Sequence, residues 1–301
     1  MKKYIYLLIL LTVMLSACSP VTKPNTSSST PHVLATETFL GDIAQNIAGD
    51  HLKIETLLPA TVDPHTFEPA PQDAVKITES QVLIVNGLGY ETWLAKTLEN
   101  IGGERLVVTV TNGLAPNADP SGEHPGGDPH MWMNPLNTIC YVENIRDGLI
   151  QVDPAGKDIY TANAEAYIAK LKSLDQWVKD QTSQIPLQKR LLVTNHDALG
   201  YFAQAYNFKI VGAVIPSVTD EASPSAQQMA GLIDTIKSSG APAIFLDIGE
   251  NQNLAKQIAS ESGTKVVTDL YVESVSISTG PAPTYIDMLK HDTIIIANAL
   301  K

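Results

Sequence analysis

Two α/β lobes with mainly parallel sheets, joined by one long helix, are predicted by three features of the chain. Short β-branched runs alternate with longer helical patterns in both halves, an order that implies parallel strands with helices on both faces. An apolar pattern at helical spacing runs from Pro154 to about Gln184 with no Gly or Pro after Gly156. The length, 301 residues, suffices for two cores at roughly 100–200 residues per domain.

In the first half, Val33 to Thr36 reads as a strand, Phe39 to Ile47 as an amphipathic helix and Leu52 to Leu58 as a strand. A helix from Gln72 to Glu79, a buried strand from Gln81 to Asn86, a helix from Tyr90 to Asn100 and a strand from Leu106 to Val110 follow. Asn112 to Gly127, rich in Gly, Pro, Asn and Asp, reads as an exposed loop. In the central helix Ile159, Tyr160, Ala164, Tyr167, Ile168, Leu171, Leu174, Trp177 and Val178 recur at helical spacing, and its aromatics read as core contacts. Alternation then resumes: strands Arg190 to Thr194, Lys209 to Val214, Ala243 to Leu246 and Lys265 to Thr268 interleave with helices Ala198 to Tyr206, Ser225 to Ser239 and Asn253 to Ser262. The last helix runs from Tyr285 to about Ala299. The division is a leader (1–17), a tether (18–31), a first lobe (32–153), a linking helix (154–185) and a second lobe (186–301).

Lys2 and Lys3 precede an apolar run from Tyr4 to Leu15, too short to span a bilayer but of signal-peptide length. Leu15-Ser16-Ala17-Cys18 resembles the bacterial lipobox, which implies a lipoprotein acylated on Cys18 with Ser19 to Thr30 as a flexible tether; the alternative is a secreted protein cut nearby. Loss of the leader takes the net charge from −12 to −14, with 18 basic against 32 acidic side chains. Such a body favours cations and argues against nucleic acid. With Cys18 lipidated, Cys140 has no disulfide partner and reads as a small core residue on a helix face.

Val62-Asp63-Pro64-His65-Thr66-Phe67-Glu68-Pro69 has a second copy of its core at Asp128-Pro129-His130. In each, a proline of fixed φ with no amide hydrogen restricts the turn between a carboxylate and an imidazole. One copy alone is an ordinary surface turn, but two, each ahead of a helical pattern, suggest a shared use. A third histidine, His196 in Thr194-Asn195-His196-Asp197, opens a helix after an apolar strand. Ligands bind at such carboxyl ends of parallel strands. His32, His51, His124 and His291 read as solvated.

These motifs, with Asn86-Gly87-Leu88-Gly89-Tyr90-Glu91-Thr92-Trp93-Leu94, His130-Met131-Trp132-Met133-Asn134-Pro135 and Asn195-His196-Asp197-Ala198-Leu199-Gly200-Tyr201-Phe202, resemble the metal-binding proteins of bacterial zinc or manganese ABC importers, the periplasmic zinc-uptake type. The resemblance runs from about Val33 to the C-terminus. It implies two lobes on one long helix, metal between them, no enzymatic activity, and a permease and ATPase as partners of a monomeric binding protein. It also implies His65 and His130 as ligands from the first lobe and His196 from the second. The fourth ligand, an acid in a pattern like Leu-Tyr-x-Asp-Ser, falls on Glu273 of Leu270-Tyr271-Val272-Glu273-Ser274, with Asp247 and Asp269 as competitors. Asp63, Asp128 and Asp197 are candidates to accept the second ring N–H of their neighbouring histidines.

Three imidazoles and one carboxylate suit Zn2+ better than Mn2+ or Fe2+. Relatives that favour manganese often carry a carboxylate where His196 stands. A closed four-ligand site leaves no place for an activated water, which weighs against a zinc hydrolase using Glu68 as base. A surface adhesin is the other rival. The chain departs from the family pattern in having only His124 where zinc-specific relatives carry a histidine-rich loop, in Asn134 for Asp and in Phe67 for Tyr.

Overall fold

The computed structural model describes residues 30–301 apart from 61, 120–123, 125, 216–223 and 250. The leader, Cys18 and the tether up to residue 29 lie outside the described residues. Residues 31–301 form one compact unit.

The chain runs β1 (Val33–Ala35), α1 (Thr38–Ala48), β2 (Ile54–Thr56), α2 (Pro71–Glu79), β3 (Val82–Val85), α3 (Leu94–Ile101) and β4 (Leu106–Thr109). After a long loop come a 3-10 turn (Met131–Met133), α4 (Thr138–Val152), a second turn (Pro154–Gly156) and the 27-residue α5 (Lys157–Ser183). The second half is β5 (Leu191–Thr194), α6 (Gly200–Tyr206), β6 (Lys209–Ala213), α7 (Ala226–Ser239), β7 (Ala243–Asp247), α8 (Gln252–Ser262), β8 (Lys265–Leu270) and α9 (Tyr285–Leu300).

Among the described residues the strands form two sheets ordered β2-β1-β3-β4 and β6-β5-β7-β8, with every pairing parallel. The two halves thus repeat one topology. Strand alternation assigns the faces: Val33, Ala35, Val82, Ile84, Leu192, Ala243 and Phe245 point into a core that spans both sheets. Leu34, Leu83 and Val85 face a satellite core on the first lobe, and Val193, Ile244 and Leu246 one on the second. Sheets covered on both sides need the near-continuous apolar strands this sequence has.

α5 buries Tyr160, Ala164, Tyr167, Leu171, Leu174 and Val178 at helical spacing, and at about 1.5 Å per residue it is roughly 40 Å long. It packs on α1 and α4 of the first half and α9 of the second, so it links the lobes. Side-chain caps start several helices: Ser225 accepts the Gln228 N–H while the Gln228 side chain returns to the Ser225 N–H, and Thr284 accepts the Asp287 N–H.

Predicted boundaries agree within a few residues except at one place. Tyr90 to Trp93 is not helical; α3 begins at Leu94, because Gly87, Leu88 and Gly89 take φ values of 88°, 58° and 83° and form a turn. A side chain at Gly87 would also come within 2.4 Å of the Thr109 side chain. Cys140 lies in α4, as its helical pattern suggested. It is half-buried, not a core residue, and its thiol donates to the Asn112 carbonyl at 3.2 Å.

Asp42 in α1 accepts the Tyr285 N–H at the start of α9, tying the halves together at 2.9 Å. Burial raises its pKa to about 6, against the lowering effect of that bond. A folded pKa above the unfolded value of about 3.9 means that protonation favours the folded state, so this group gains stability as pH falls from about 6 to about 4. Asp42→Asn keeps an acceptor oxygen and removes the charge. It is expected to raise the melting temperature by a few degrees at pH 7.5 and by progressively less toward pH 4.5. A difference independent of pH would contradict this.

Candidate metal centre

His65, His130, His196 and Glu273, all buried, each offer a ligand atom, and these atoms lie within 4.8 Å of one another. Each follows a strand in the chain: His65 comes after β2, His130 after β4 and its loop, His196 directly after β5, and Glu273 after β8. Glu273 Oε1 is 3.2 Å from His65 Nε2, 3.2 Å from His196 Nε2 and 3.7 Å from His130 Nε2.

The loops are held through their backbones. Asp63 accepts the His65 N–H at 2.8 Å and the Thr66 hydroxyl at 3.0 Å. Thr92 donates to the His65 carbonyl and the Trp93 indole to the Pro64 carbonyl. Around His130, the Asn86 amide donates to the Pro129 carbonyl and the Tyr201 hydroxyl to the Asp128 carbonyl. Asn86 is in turn held by the Tyr141 hydroxyl, and its N–H and that of Gly87 donate to buried Glu91. The ring of Tyr90, fully buried, meets those of His65 and His130 edge-on at 4.8 and 5.9 Å.

The electrostatics favour positive charge. Burial alone lowers the pKa of His130, but hydrogen bonds that its ring donates to the Asp128 and Glu273 carboxylates, and their charges, push it up to about 9. Burial works against ionised Glu273, yet hydrogen bonds from His130 and His196 and the charge of His196 hold its pKa well below the usual carboxylate range.

The three aspartates predicted to orient the imidazoles behave differently. Asp128 Oδ1 meets His130 Nδ1 at 2.8 Å and leaves Nε2 facing the centre. Asp63 instead caps its own loop through the His65 backbone, because its carboxylate sits where the turn aims two donors at it. Asp197 accepts no imidazole N–H among the described residues, although the charges of His130 and His196 reach it.

Of the competitors for the fourth position, Asp247 accepts the Ile248 and Val272 N–H groups and Asp269 is exposed. Glu68 is exposed and outside the four-residue group.

The reading of His124 as solvated is overturned. It is buried, its ring centroid lies 5.7 Å from that of His65, and its N–H donates to Asp119 at 2.8 Å. The loop is exposed at Asn112, Gly113, Ala115, Pro116, Ala118 and Gly126, as composition predicted, but His124 within it packs against Gly89 and His65. Gly127 takes φ 101° there, and the Asp128 N–H bonds the Asn117 carbonyl. Of the other three, His32 on Glu55 and His291 on the Asp269 carbonyl lie partly exposed and His51 on Asp153 is exposed. Tyr90 lies in the Asn86–Leu94 motif and Trp132 in the His130–Pro135 motif, but nothing in their spacing told of contact with the imidazoles.

The family described as periplasmic zinc-uptake complex component A matches residues 33–299. The chain belongs to this family. Its members are substrate-binding components of ABC importers, not enzymes. The chain is 34% identical over 270 residues to the manganese-binding lipoprotein MntA of Halalkalibacterium halodurans, covering 89% of this chain and 88% of that one. It is 36% identical over 275 residues to the iron-binding protein YfeA of Yersinia pestis, covering 91% and 88%. Among solved structures, the periplasmic zinc-binding protein TroA of Treponema pallidum matches with a TM-score of 0.84 at 26% identity, over 90% of this chain and 99% of that one. An Mn-bound periplasmic metal-binding protein from Candidatus Liberibacter asiaticus matches at 0.80 and 31%, over 90% and 100%.

Proposed function

We propose that this chain captures Zn2+ outside the cytoplasm on His65, His130, His196 and Glu273 and delivers it to the permease and ATPase of an ABC importer. The coarser statement, a divalent-metal-binding component of such an importer, follows from the family. The observation that carries the zinc reading is the convergence of three imidazoles and one carboxylate in a buried, mutually close set. A tetrahedral shell at about 2.0–2.1 Å from zinc has ligand-to-ligand edges of about 3.3–3.4 Å. The 3.2 to 3.7 Å separations about Glu273 Oε1 are near that edge, within a set whose ligand atoms all lie within 4.8 Å of one another.

The metal is cargo, so the site must bind and later release it. Four protein ligands exclude an open coordination position. Acylation at Cys18 after loss of residues 1–17 would tether the protein to a membrane through residues 18–31, a reading supported by relatives named as lipoproteins. Lobes 32–153 and 186–301 with helix 154–185 between them, acting as a monomer, complete the proposal. Among the described residues no helix is long and apolar enough to cross a membrane.

Manganese is the second reading, because a relative 34% identical is named for it. The discriminating experiment is metal analysis of protein purified without added metal, then competition among Zn2+, Mn2+ and Fe2+. Zinc is expected to displace both of the others at equal concentration. Retention of manganese against equimolar zinc would overturn the zinc assignment and leave the importer role standing.

A further inference from the structure

Val272, immediately before Glu273, is held by its two backbone groups from opposite sides. Its N–H donates to Asp247 Oδ1 at 3.0 Å, at the end of β7 in the second lobe. Its carbonyl accepts the Trp132 indole N–H at 2.8 Å from the first lobe, across 140 residues of chain. We propose that Trp132 and Asp247 are positioning residues for Glu273, fixing its peptide unit between the lobes so that its carboxylate meets the three imidazoles. This rests on the reading of Glu273 as a ligand.

Each half of the clamp is itself anchored. Trp132 is fully buried, stacks on Phe39 at 4.5 Å between ring centroids and lies two residues after His130 in the 3-10 turn. One hydrogen bond therefore sets the register of the His130 loop against the Glu273 loop. Asp247 Oδ1 also takes the Ile248 N–H at 2.8 Å, while the Ile248 N–H contacts the Leu270 carbonyl. Two features beside the clamp show why Glu273 needs one. β8 ends in a register shift with Asp269 at φ 74°, and no regular structure follows until α9. A carboxylate on such a segment has no strand or helix to fix its direction, whereas metal ligation tolerates displacements of only about 0.2 Å in ligand distance. The competitor for the fourth ligand position thus serves that position through the backbone.

The test is Zn2+ affinity of the purified chain, by chelator competition, for Trp132→Phe and Asp247→Ala in the parent and in a Glu273→Ala background. Melting temperatures of the metal-free proteins are measured alongside. Residues that orient a ligand cost about 10–100-fold in metal affinity when removed. That loss is expected for both variants in the parent, with less than a threefold further loss once Glu273 is gone, because they act through it. Asp247→Asn, whose amide oxygen still accepts both N–H groups, is expected to stay within threefold. Equal losses in both backgrounds, or no loss in the parent, would overturn the positioning role. Unchanged affinity in Glu273→Ala alone would overturn the four-ligand reading itself. Asp247 is only partly buried, so its truncation carries the test if Trp132→Phe fails to fold.

Discussion

Replacing His130 by alanine is expected to weaken Zn2+ binding by about two to three orders of magnitude. Four-ligand structural zinc sites have apparent binding free energies of about 10–16 kcal/mol, so one ligand of four accounts for roughly 3–4 kcal/mol. Of the four proposed ligands, His130 is the one for which that share should be realised most fully. Its ring is completely buried, its Nδ1 is fixed by Asp128, and the Asp128 carbonyl is tied to the Tyr201 hydroxyl of the other lobe. Removal also leaves the Asp128 carboxylate, itself buried, without the imidazole it faces. Chelator competition on folded His130→Ala protein measures the effect, and an affinity equal to the parent's would remove His130 from the site.

Zinc is expected to stabilise the protein strongly, since His65 and His130 belong to the first lobe and His196 and Glu273 to the second. A ligand that binds only the folded state at 1,000 times its Kd adds about 4 kcal/mol. For a chain of this size each kcal/mol moves the melting temperature by about 2–4 °C, so a rise on the order of 10 °C is expected. The rise should shrink as pH falls below about 9, the range in which His130 takes up a proton that competes with the metal. It should also fall to a few degrees or less in His130→Ala. Thermal melts with and without excess Zn2+ at pH 7.5 and 5.5 report both, and a rise that survives in His130→Ala would mean that the metal binds elsewhere.

Much of the architecture was legible because its determinants are local. Val33 to Ala35 and Ala243 to Leu246 could be recognised as strands because every side chain in them is apolar, as strands buried on both faces require. The long helix could be recognised because Tyr160 through Val178 keep helical spacing without a breaker. The error at Tyr90 to Trp93 has an equally physical cause. Helical apolar spacing continued into a turn whose geometry is set by positive φ at Leu88 and its flanking glycines, with Glu91 accepting the Asn86 and Gly87 N–H groups.

At the candidate site, the sequence by itself marked the two Asp-Pro-His loops and the His196 loop as places where an imidazole would be held after a strand, and resemblance pointed to Glu273. Those are properties of a few adjacent residues. Folding decided the rest: that Asp128 orients an imidazole whereas Asp63 caps a turn, that His124 is buried against His65, and that Asp247 serves Glu273 through Val272. Each depends on groups 25 to 140 positions apart in the chain, such as Asp247 and Val272, His65 and His124 or Trp132 and Val272, or on the rotamer a carboxylate adopts among competing donors. Neither composition nor periodicity encodes such pairings, because they exist only once each lobe has folded and, for Trp132 and Val272, only where both lobes meet in one shared core.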